Sequence, residues 1–216
     1  MKMRAPDEIR VLDADGFKRR AACLCLRDAP RKNGVAPGVT SPKEILLISS
    51  AKKADKWMVP GGGVDPGEDL STAAARETFE EAGVRGRLDG LVGVFETTSG
   101  TRTRTHVFKL VVEEVADTWA ESARKRRWFS LEEAKKVLES CKPAQKEYLD
   151  KYSSLVKSQW EHHRLAARFN GSGKLSEETP LPVKDLDLFV SPHWTKEPQE
   201  SPWAKDELPV SDTDAW

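Results

Sequence analysis

Cysteine is scarce in this sequence, and long apolar runs are missing from it. Its 216 residues include three cysteines, Cys23, Cys25 and Cys141. This odd number is too small for a disulfide-stabilised fold. We therefore expect a reducing compartment, the cytoplasm, with the nucleus as a second location. No run approaches the eighteen or so apolar residues of a membrane span, and residues 1–10 lack the apolar stretch of a signal peptide, so no membrane partner is expected.

A net charge is also lacking, because 35 lysines and arginines balance 35 aspartates and glutamates. The balance is uneven along the chain. Ser176–Trp216 contains ten acidic and three basic residues, so the preceding 175 residues carry a net charge of +7. A basic body favours an anionic partner such as phosphates, nucleic acid or an acidic surface. On charge alone, a solvated basic surface with an acidic solubilising tail is an equally good interpretation.

Apolar patterning predicts short strands alternating with three helices. The predicted strands are Arg20–Arg27, Glu44–Ser50, Trp57–Val59, Leu88–Glu96, Arg104–Glu113 and a run ending at Trp128 and Phe129. The predicted helices are Ser71–Ala82, Leu131–Ser140 and Pro143–Arg168. Glycine and proline mark Asp28–Pro42 as a loop. Beyond Asn170, six of the 13 prolines and three scattered tryptophans predict a disordered tail.

The first predicted helix has recognisable signals at both ends. Ser71 or Thr72 is expected to cap its N-terminus, and Gly83 stands where a left-handed residue ends a helix. The glycines Gly61–Gly63 precede it and predict a loop whose backbone amides approach an anion closely.

Three glutamates share one face of this helix. Glu77, Glu80 and Glu81 stand at positions i, i+3 and i+4, and like charges at this spacing repel one another. A compensating cation is therefore expected. Oxygen ligands of this kind suit Mg²⁺, or Mn²⁺, together with substrate phosphates. Taken alone, however, an acidic triplet is more often a solvated helix face.

The three glutamates belong to a longer pattern of fixed spacing. The pattern is Gly62-x5-Glu68-x7-Arg76-Glu77-x2-Glu80-Glu81-x-Gly83-Val84. It resembles the signature of the Nudix hydrolases, with Thr78 where that family usually has an aliphatic residue. Without the aliphatic position Val84, the pattern has seven fixed residues, and their chance match has a probability of roughly one in a million in this chain. The full pattern therefore favours a metal-dependent site over a solvated face.

A wider resemblance extends over Ile9–Tyr152. There the chain is similar to the diphosphoinositol polyphosphate phosphohydrolases, a Nudix subfamily that also cleaves diadenosine polyphosphates. The stretches that carry the similarity are Gly16–Arg27, Trp57–Glu68, Ala73–Leu88, Leu91–Glu96 and Arg124–Ala134. The resemblance implies an α/β fold, an α/β/α sandwich with a mixed β-sheet. It places a Nudix domain over residues 9–168 and leaves an acidic, proline- and tryptophan-containing tail over residues 169–216.

The resemblance also implies roles for the signature residues. Glu77 and Glu81 match the main metal ligands, with Mg²⁺ as the expected ion. Glu80 matches a ligand or the general base, and both readings stay open. Glu68 is expected to brace the loop before the helix, and Arg76 to pair with a signature carboxylate rather than with substrate.

A highly phosphorylated substrate requires many cations around one pocket, where arginine offers forked contacts and lysine a point charge. Several basic clusters of the chain, including Arg104 and Arg126, are candidates. By resemblance, the positions that match inositol phosphate contacts are Arg10, Lys18, Arg19, Arg20, Ser50, Lys52, Gly61, Gly62, Gly63, Arg102, Arg124 and Lys142.

Three functions stay open at this point. The first is Mg²⁺-dependent removal of the β-phosphate of diphosphoinositol polyphosphates, giving inositol hexakisphosphate and phosphate, with cleavage of diadenosine polyphosphates as a second activity. The second is a nucleotide or mRNA-cap pyrophosphatase, because a basic surface also suits RNA. The third is a non-catalytic sensor of anionic ligands whose tail recruits a partner that the sequence does not identify. The tail is also expected to compete with phosphates for the basic surface.

Overall fold

The computed structural model describes residues 12–30 and 42–169. Within these residues, seven strands form one mixed sheet and three helices pack on it. The strands are β1 Lys18–Asp28, β2 Lys43–Ser49, β3 Trp57–Met58, β4 Gly61–Gly63, β5 Val84–Thr97, β6 Thr103–Val115 and β7 Arg126–Ser130. The helices are α1 Leu70–Ala82, α2 Leu131–Cys141 and α3 Pro143–Phe169. Each helix and longer strand predicted from the sequence is present, with bounds shifted by a few residues.

The central strand of the sheet is β1. It pairs in parallel with β6, from Lys18 opposite Thr103 to Leu26 opposite Val111. Its other side pairs antiparallel with β2 and with β4, and the main strand order is β3-β2-β1-β6-β5. β7 joins the sheet through β2, with Phe129 opposite Ile45.

Side chains of β1 alternate between two apolar layers. Cys23 and Cys25 lie on the face that packs against α1, and both thiols are free. Leu24 and Leu26 lie on the opposite face, which packs against α2 and α3 through residues such as Leu138. Since helices cover both faces of a mixed sheet, the α/β/α sandwich is confirmed.

The glycine segment before α1 differs from the prediction. The sequence predicts a loop at Gly61–Gly63, whereas the segment forms β4 and pairs with residues 20–22 of β1. A Cβ atom at Gly61 would lie 2.5 Å from the carbonyl oxygen of Ala21. The glycine therefore allows a close approach of two backbones, which the sequence pattern alone does not distinguish from a flexible loop.

The N-terminal cap of α1 also differs. Neither Ser71 nor Thr72 caps the helix; Asp69 does, and its side chain accepts hydrogen bonds from the amides of both residues. Because all three residue types are good caps, the sequence leaves the exact first residue open. The predicted C-terminal end is confirmed, since Gly83 adopts a left-handed conformation with φ of 62°.

No helix among the described residues is long and apolar enough to cross a membrane. Residues 170–216, almost the whole predicted tail, and Arg10 lie outside the described residues. The predicted domain boundaries and the disordered tail therefore stay predictions.

Candidate active site

The N-terminal half of α1 is tied to the preceding segment by Arg76. Its guanidinium donates two parallel hydrogen bonds to the carboxylate of Glu68, from Nε to Oε1 at 2.8 Å and from Nη2 to Oε2 at 2.9 Å. Nη2 also donates to the carbonyl oxygen of Gly63 at 3.0 Å. Glu68 in turn accepts from the Asp65 amide at 2.9 Å. This forked pair joins the end of β4, the following turn and α1 into one unit.

The same guanidinium faces two further carboxylates of α1. Arg76 Nη1 lies 3.1 Å from Oε1 of Glu77 and 3.7 Å from Oε1 of Glu80. Arg76 therefore supplies part of the positive charge that is needed to offset the predicted repulsion among the three glutamates.

Glu77 and Glu81 project against the glycines of β4. A Cβ atom at Gly62 would lie 2.1 Å from Oε2 of Glu77, so the carboxylate occupies the space that a side chain would fill. Glu81 is buried; its Oε2 accepts from the Gly61 amide at 2.8 Å, and its Oε1 accepts from Arg124 Nη2 at 2.9 Å. The glycines therefore leave space for Glu77 and donate to Glu81, and they are not reserved for the bound anion that the sequence predicts.

Burial leaves these two carboxylates short of positive charge. Desolvation raises the pKa of Glu77, and it raises the pKa of Glu81 to about 7 despite Arg124 and the Gly61 amide. The described residues contain no ready-made set of three metal-ligating side chains, and Arg76 and Arg124 face the carboxylates of α1. The donor chemistry nevertheless fits a divalent cation, since desolvated carboxylate oxygens on adjacent helix positions favour Mg²⁺ or Mn²⁺.

Glu77, Glu80 and Glu81 are therefore the residues that would hold a metal. A bound divalent ion would neutralise charge on phosphate oxygens and make a coordinated water more acidic. Glu80 is the most accessible of the three, with its side chain 38% exposed. It is the carboxylate best placed to reach solvent water.

Basic side chains at the start of β1 border the glycine strand. Arg20 donates from Nη2 to the carbonyl oxygen of Gly61 at 2.8 Å. The side chain of Lys18 passes over Gly63, with Cε 3.9 Å from the position of a Cβ atom there. Arg19 alternates to the opposite face of the strand, where its charge helps to lower the pKa of His106, after the larger effect of burial.

The β2–β3 hairpin brings a second group of predicted residues to Arg124. The Ser49 amide donates to the carbonyl oxygen of Lys125 at 2.8 Å, and the Lys125 amide donates to Ser49 Oγ at 2.9 Å. Ser50 and Lys52 follow directly in this hairpin, where the Lys52 amide donates to Ser50 Oγ at 3.3 Å. The end of β2, just before these predicted residues, is thus tied to the residue after Arg124.

Two further residues predicted to contact substrate, Lys142 and Arg102, belong to other parts of the fold. Lys142 caps the C-terminus of α2, three residues before Gln145, whose Oε1 accepts from the Val59 amide at 2.9 Å. Arg102 stacks on Phe17, with its guanidinium carbon 4.0 Å from the ring centroid.

Two arginines of the basic clusters are committed to structural contacts. Arg104 contacts the carboxylates of Asp13, Asp15 and Glu96. Arg126 donates to the backbone at the C-terminal end of α1. Neither is a free cation for substrate.

Sequence reasoning missed the supporting roles of four residues, one of which, Arg126, it had named only as a candidate substrate contact. Trp119 and Glu121 contact the last turn of α1, Arg126 caps it, and Gln145 holds the chain before Pro60. One signal was present, since the last turn of α1 contains no basic residue and its carbonyls therefore needed a donor from elsewhere.

Comparison with known proteins identifies the family. A family model of the NUDIX domain matches residues 30–152. The chain belongs to the Nudix family. Diphosphoinositol polyphosphate phosphohydrolase 3-alpha of Mus musculus and of Homo sapiens are each 46% identical to this Nudix hydrolase over 149 residues, 68% of this chain and 84% of the relative. Diphosphoinositol polyphosphate phosphohydrolase 2 of Rattus norvegicus is 45% identical and covered to 76%.

These similarities place the protein in the diphosphoinositol polyphosphate phosphohydrolase subfamily and make it a phosphoanhydride hydrolase. Nudix hydrolases in general use a divalent metal. A solved structure, a Nudix hydrolase from Nitrosomonas europaea, is 20% identical with a TM-score of 0.49, covering 63% of this chain and 88% of that one.

Proposed function

We propose that this Nudix hydrolase removes the β-phosphate of diphosphoinositol polyphosphates in a Mg²⁺-dependent reaction. The products are inositol hexakisphosphate and phosphate, and diadenosine polyphosphates are second substrates. The observation that carries the proposal is the placement of Glu77 and Glu81 against the glycine strand, with the more exposed Glu80 on the same helix and with Lys18 and Arg124 nearby. The printed names of relatives that are 46% identical support the substrate class.

The reaction requires charge neutralisation on the transferring phosphoryl oxygens and an oriented water. Lys18 lies over Gly63 and, with Ser50 and Lys52, is proposed to bind a ligand with many phosphates. Glu80 is accessible to solvent and is assigned to ligating metal or accepting a proton from the water. Glu77 and Glu81 are held by Gly62, Gly61 and Arg124 in fixed positions for the ion.

Mg²⁺ is the proposed ion because carboxylate oxygens together with substrate phosphates suit it, and the same donors also accept Mn²⁺. The proposal also includes a cytoplasmic and nuclear location. The absence of disulfides among Cys23, Cys25 and Cys141 supports a reducing compartment. Capped RNA and a partner for the tail remain hypotheses.

The test measures phosphate release from a diphosphoinositol pentakisphosphate and, in parallel, release of adenine nucleotides from diadenosine hexaphosphate, each with and without Mg²⁺ under identical conditions. We expect metal-dependent turnover, faster on the inositol substrate. Turnover of the nucleotide alone would retain the Nudix chemistry and overturn the inositol assignment. Tight binding of both ligands with no product would instead indicate an anion sensor.

A further inference from the structure

The C-terminal end of α1 is held by the segment that joins β6 to β7 and by the first residue of β7. Helices leave their last four carbonyl groups without intrahelical partners. Here the Glu121 amide donates to the carbonyl oxygen of Glu80 at 3.0 Å, and Trp119 Nε1 donates to that of Glu81 at 3.2 Å. Arg126 Nη1 donates to the carbonyl oxygen of Ala82 at 2.9 Å. We call Ala116, Trp119, Glu121 and Arg126 the clasp.

Arg126 is the centre of the clasp. Besides Ala82, its Nη1 lies 3.3 Å from the carbonyl oxygen of Gly83, and its Nη2 donates to that of Ala116 at 2.7 Å. Its guanidinium stacks over the Trp119 ring, 4.0 Å from the centroid. A cation therefore lies at the negative end of the helix dipole, although α1 itself has no basic residue in its last turn.

Trp119 also explains a glycine of the signature in a second way. A Cβ atom at Gly83 would lie 2.8 Å from the Trp119 ring and 2.9 Å from Arg126 Nη1. Gly83 thus permits the left-handed turn and also leaves room for the clasp.

Two of the clasped carbonyls belong to Glu80 and Glu81, whose side chains are the proposed base and metal ligand. A rotation or fraying of this last turn would move both carboxylates. We propose that Arg126 and Trp119 are positioning residues that fix the backbone of Glu80 and Glu81 so that the two carboxylates hold metal and water productively. They act through the helix backbone, and the inference rests on the proposed function for the roles of the two glutamates.

The test uses the full chain and four variants, Arg126→Ala, Arg126→Lys, Trp119→Phe and Arg127→Ala. Arg127 is the matched control, because it follows Arg126 in β7, is exposed, and stacks on Phe129 instead, at 4.8 Å. The first readout is Mn²⁺ affinity by electron paramagnetic resonance without substrate. The second is the division between kcat and KM on the inositol substrate, and melting temperature reports folding.

We expect Arg126→Ala to weaken Mn²⁺ binding about tenfold and to lower kcat by a similar factor, as is typical of residues that orient metal ligands. KM should change less than kcat. Arg126→Lys and Trp119→Phe should fall between this variant and the wild type, and Arg127→Ala should retain Mn²⁺ affinity. If Arg126→Ala does not fold, the Mn²⁺ affinities and kcat values of Arg126→Lys and Trp119→Phe decide whether the inference holds.

Folded Arg126 and Trp119 variants with Mn²⁺ affinity and kcat within about twofold of the wild type would overturn the inference. A wild type that binds Mn²⁺ but leaves the inositol substrate intact would overturn the proposed function instead. In that case the Mn²⁺ affinities of the variants still decide the role of the clasp.

Discussion

The two ends of α1 are held in different ways. At the N-terminal end, the cap Asp69 and the Glu68–Arg76 pair all lie within the signature, at most eight residues apart. At the C-terminal end, Trp119 and Arg126 reach the helix from 38 and 44 residues away. The short motif therefore explains how the helix begins, while its last turn depends on completion of the sheet.

The two kinds of support meet at Glu81. One carboxylate oxygen accepts from Gly61 in the segment before the helix, and the other from Arg124 in the distant segment. Variants at the two ends of α1, and of Glu81 itself, test whether the two ends contribute differently to turnover and to the free energy of unfolding.

The largest effect is expected at the carboxylates themselves. Glu80→Gln and Glu81→Gln should each lower kcat by about 10²-fold or more, because the negative charge for metal and proton transfer is lost. In Glu81→Gln the new side-chain carbonyl oxygen can still accept from the Gly61 amide, so the fold should persist. Steady-state assays at saturating Mg²⁺ check this, with Glu139→Gln on exposed α2 as the control. Near-normal rates would contradict the metal assignment.

A smaller effect is expected from weakening the local support at the N-terminal end. Arg76→Lys removes the fork to Glu68 and should lower the free energy of unfolding by about 2 kcal/mol, since hydrogen bonds between charged groups are lost from a partly buried site. Urea unfolding measures this. Arg87→Lys is the matched control, because Arg87 is exposed and makes one ion pair with Asp89 at 3.4 Å; it should cost under about 1 kcal/mol. Equal losses of unfolding free energy in Arg76→Lys and Arg87→Lys would show that the forked pair contributes no more than an exposed ion pair.

The charge at Glu81 predicts a pH dependence of stability without metal. Its pKa is about 7 in the folded chain because of burial, with Arg124 opposing this rise and Glu77 and Glu121 adding to it. The folded chain then binds the proton more tightly than the unfolded chain does. The free energy of unfolding should fall by about 2–3 kcal/mol as pH rises from about 4.5 to 7.

Chelator-treated samples melted at pH 5.5 and 7.5 measure this slope. Glu81→Gln should flatten it, and added Mg²⁺ should restore stability at the higher pH, because the ion replaces the missing charge. Metal-free wild type that is more stable at pH 7.5 than at 5.5 would contradict the assignment.

The smallest effect is expected at the helix cap. Asp69→Ala should cost about 1 kcal/mol of unfolding free energy, because the Ser71 and Thr72 amides lose their acceptor. Ser71→Ala should cost less, since its hydroxyl caps nothing. Thermal or urea unfolding compares the two variants directly. A larger loss of unfolding free energy in Ser71→Ala than in Asp69→Ala would show that Ser71 caps the helix.

Local signals were sufficient for much of the fold. Alternation in β1 places Cys23 and Cys25 on one buried face, and Gly83 ends α1 where the sequence predicts. β4 was not predictable in the same way, because three glycines carry no apolar pattern and pair with β1 only through a close backbone approach. The mixed sheet itself came from the resemblance to a family.

Charge alone was a poorer guide to the site. Arg104 and Arg124 belong to similar basic clusters, yet Arg104 is bound by carboxylates, including Asp13, 91 positions away. Arg124 also contacts two carboxylates, those of Glu81 and Glu121, but Glu81 belongs to the site itself. The sequence shows which residues are cationic but not which distant carboxylates they contact. A basic cluster therefore gives only an upper limit to the number of cations that can bind substrate.

The position of β1 has a consequence for synthesis of the chain. This central strand pairs with β6 from Lys18 opposite Thr103 onward, so its parallel partner is translated much later. At the usual pace of synthesis, the delay is roughly 4 to 17 seconds. Until then, Ala21–Leu26, buried in the finished protein, has no partner on that side. Ribosomes that slow between these two strands would prolong the exposure of an apolar segment, and chaperone binding is expected to be greatest there.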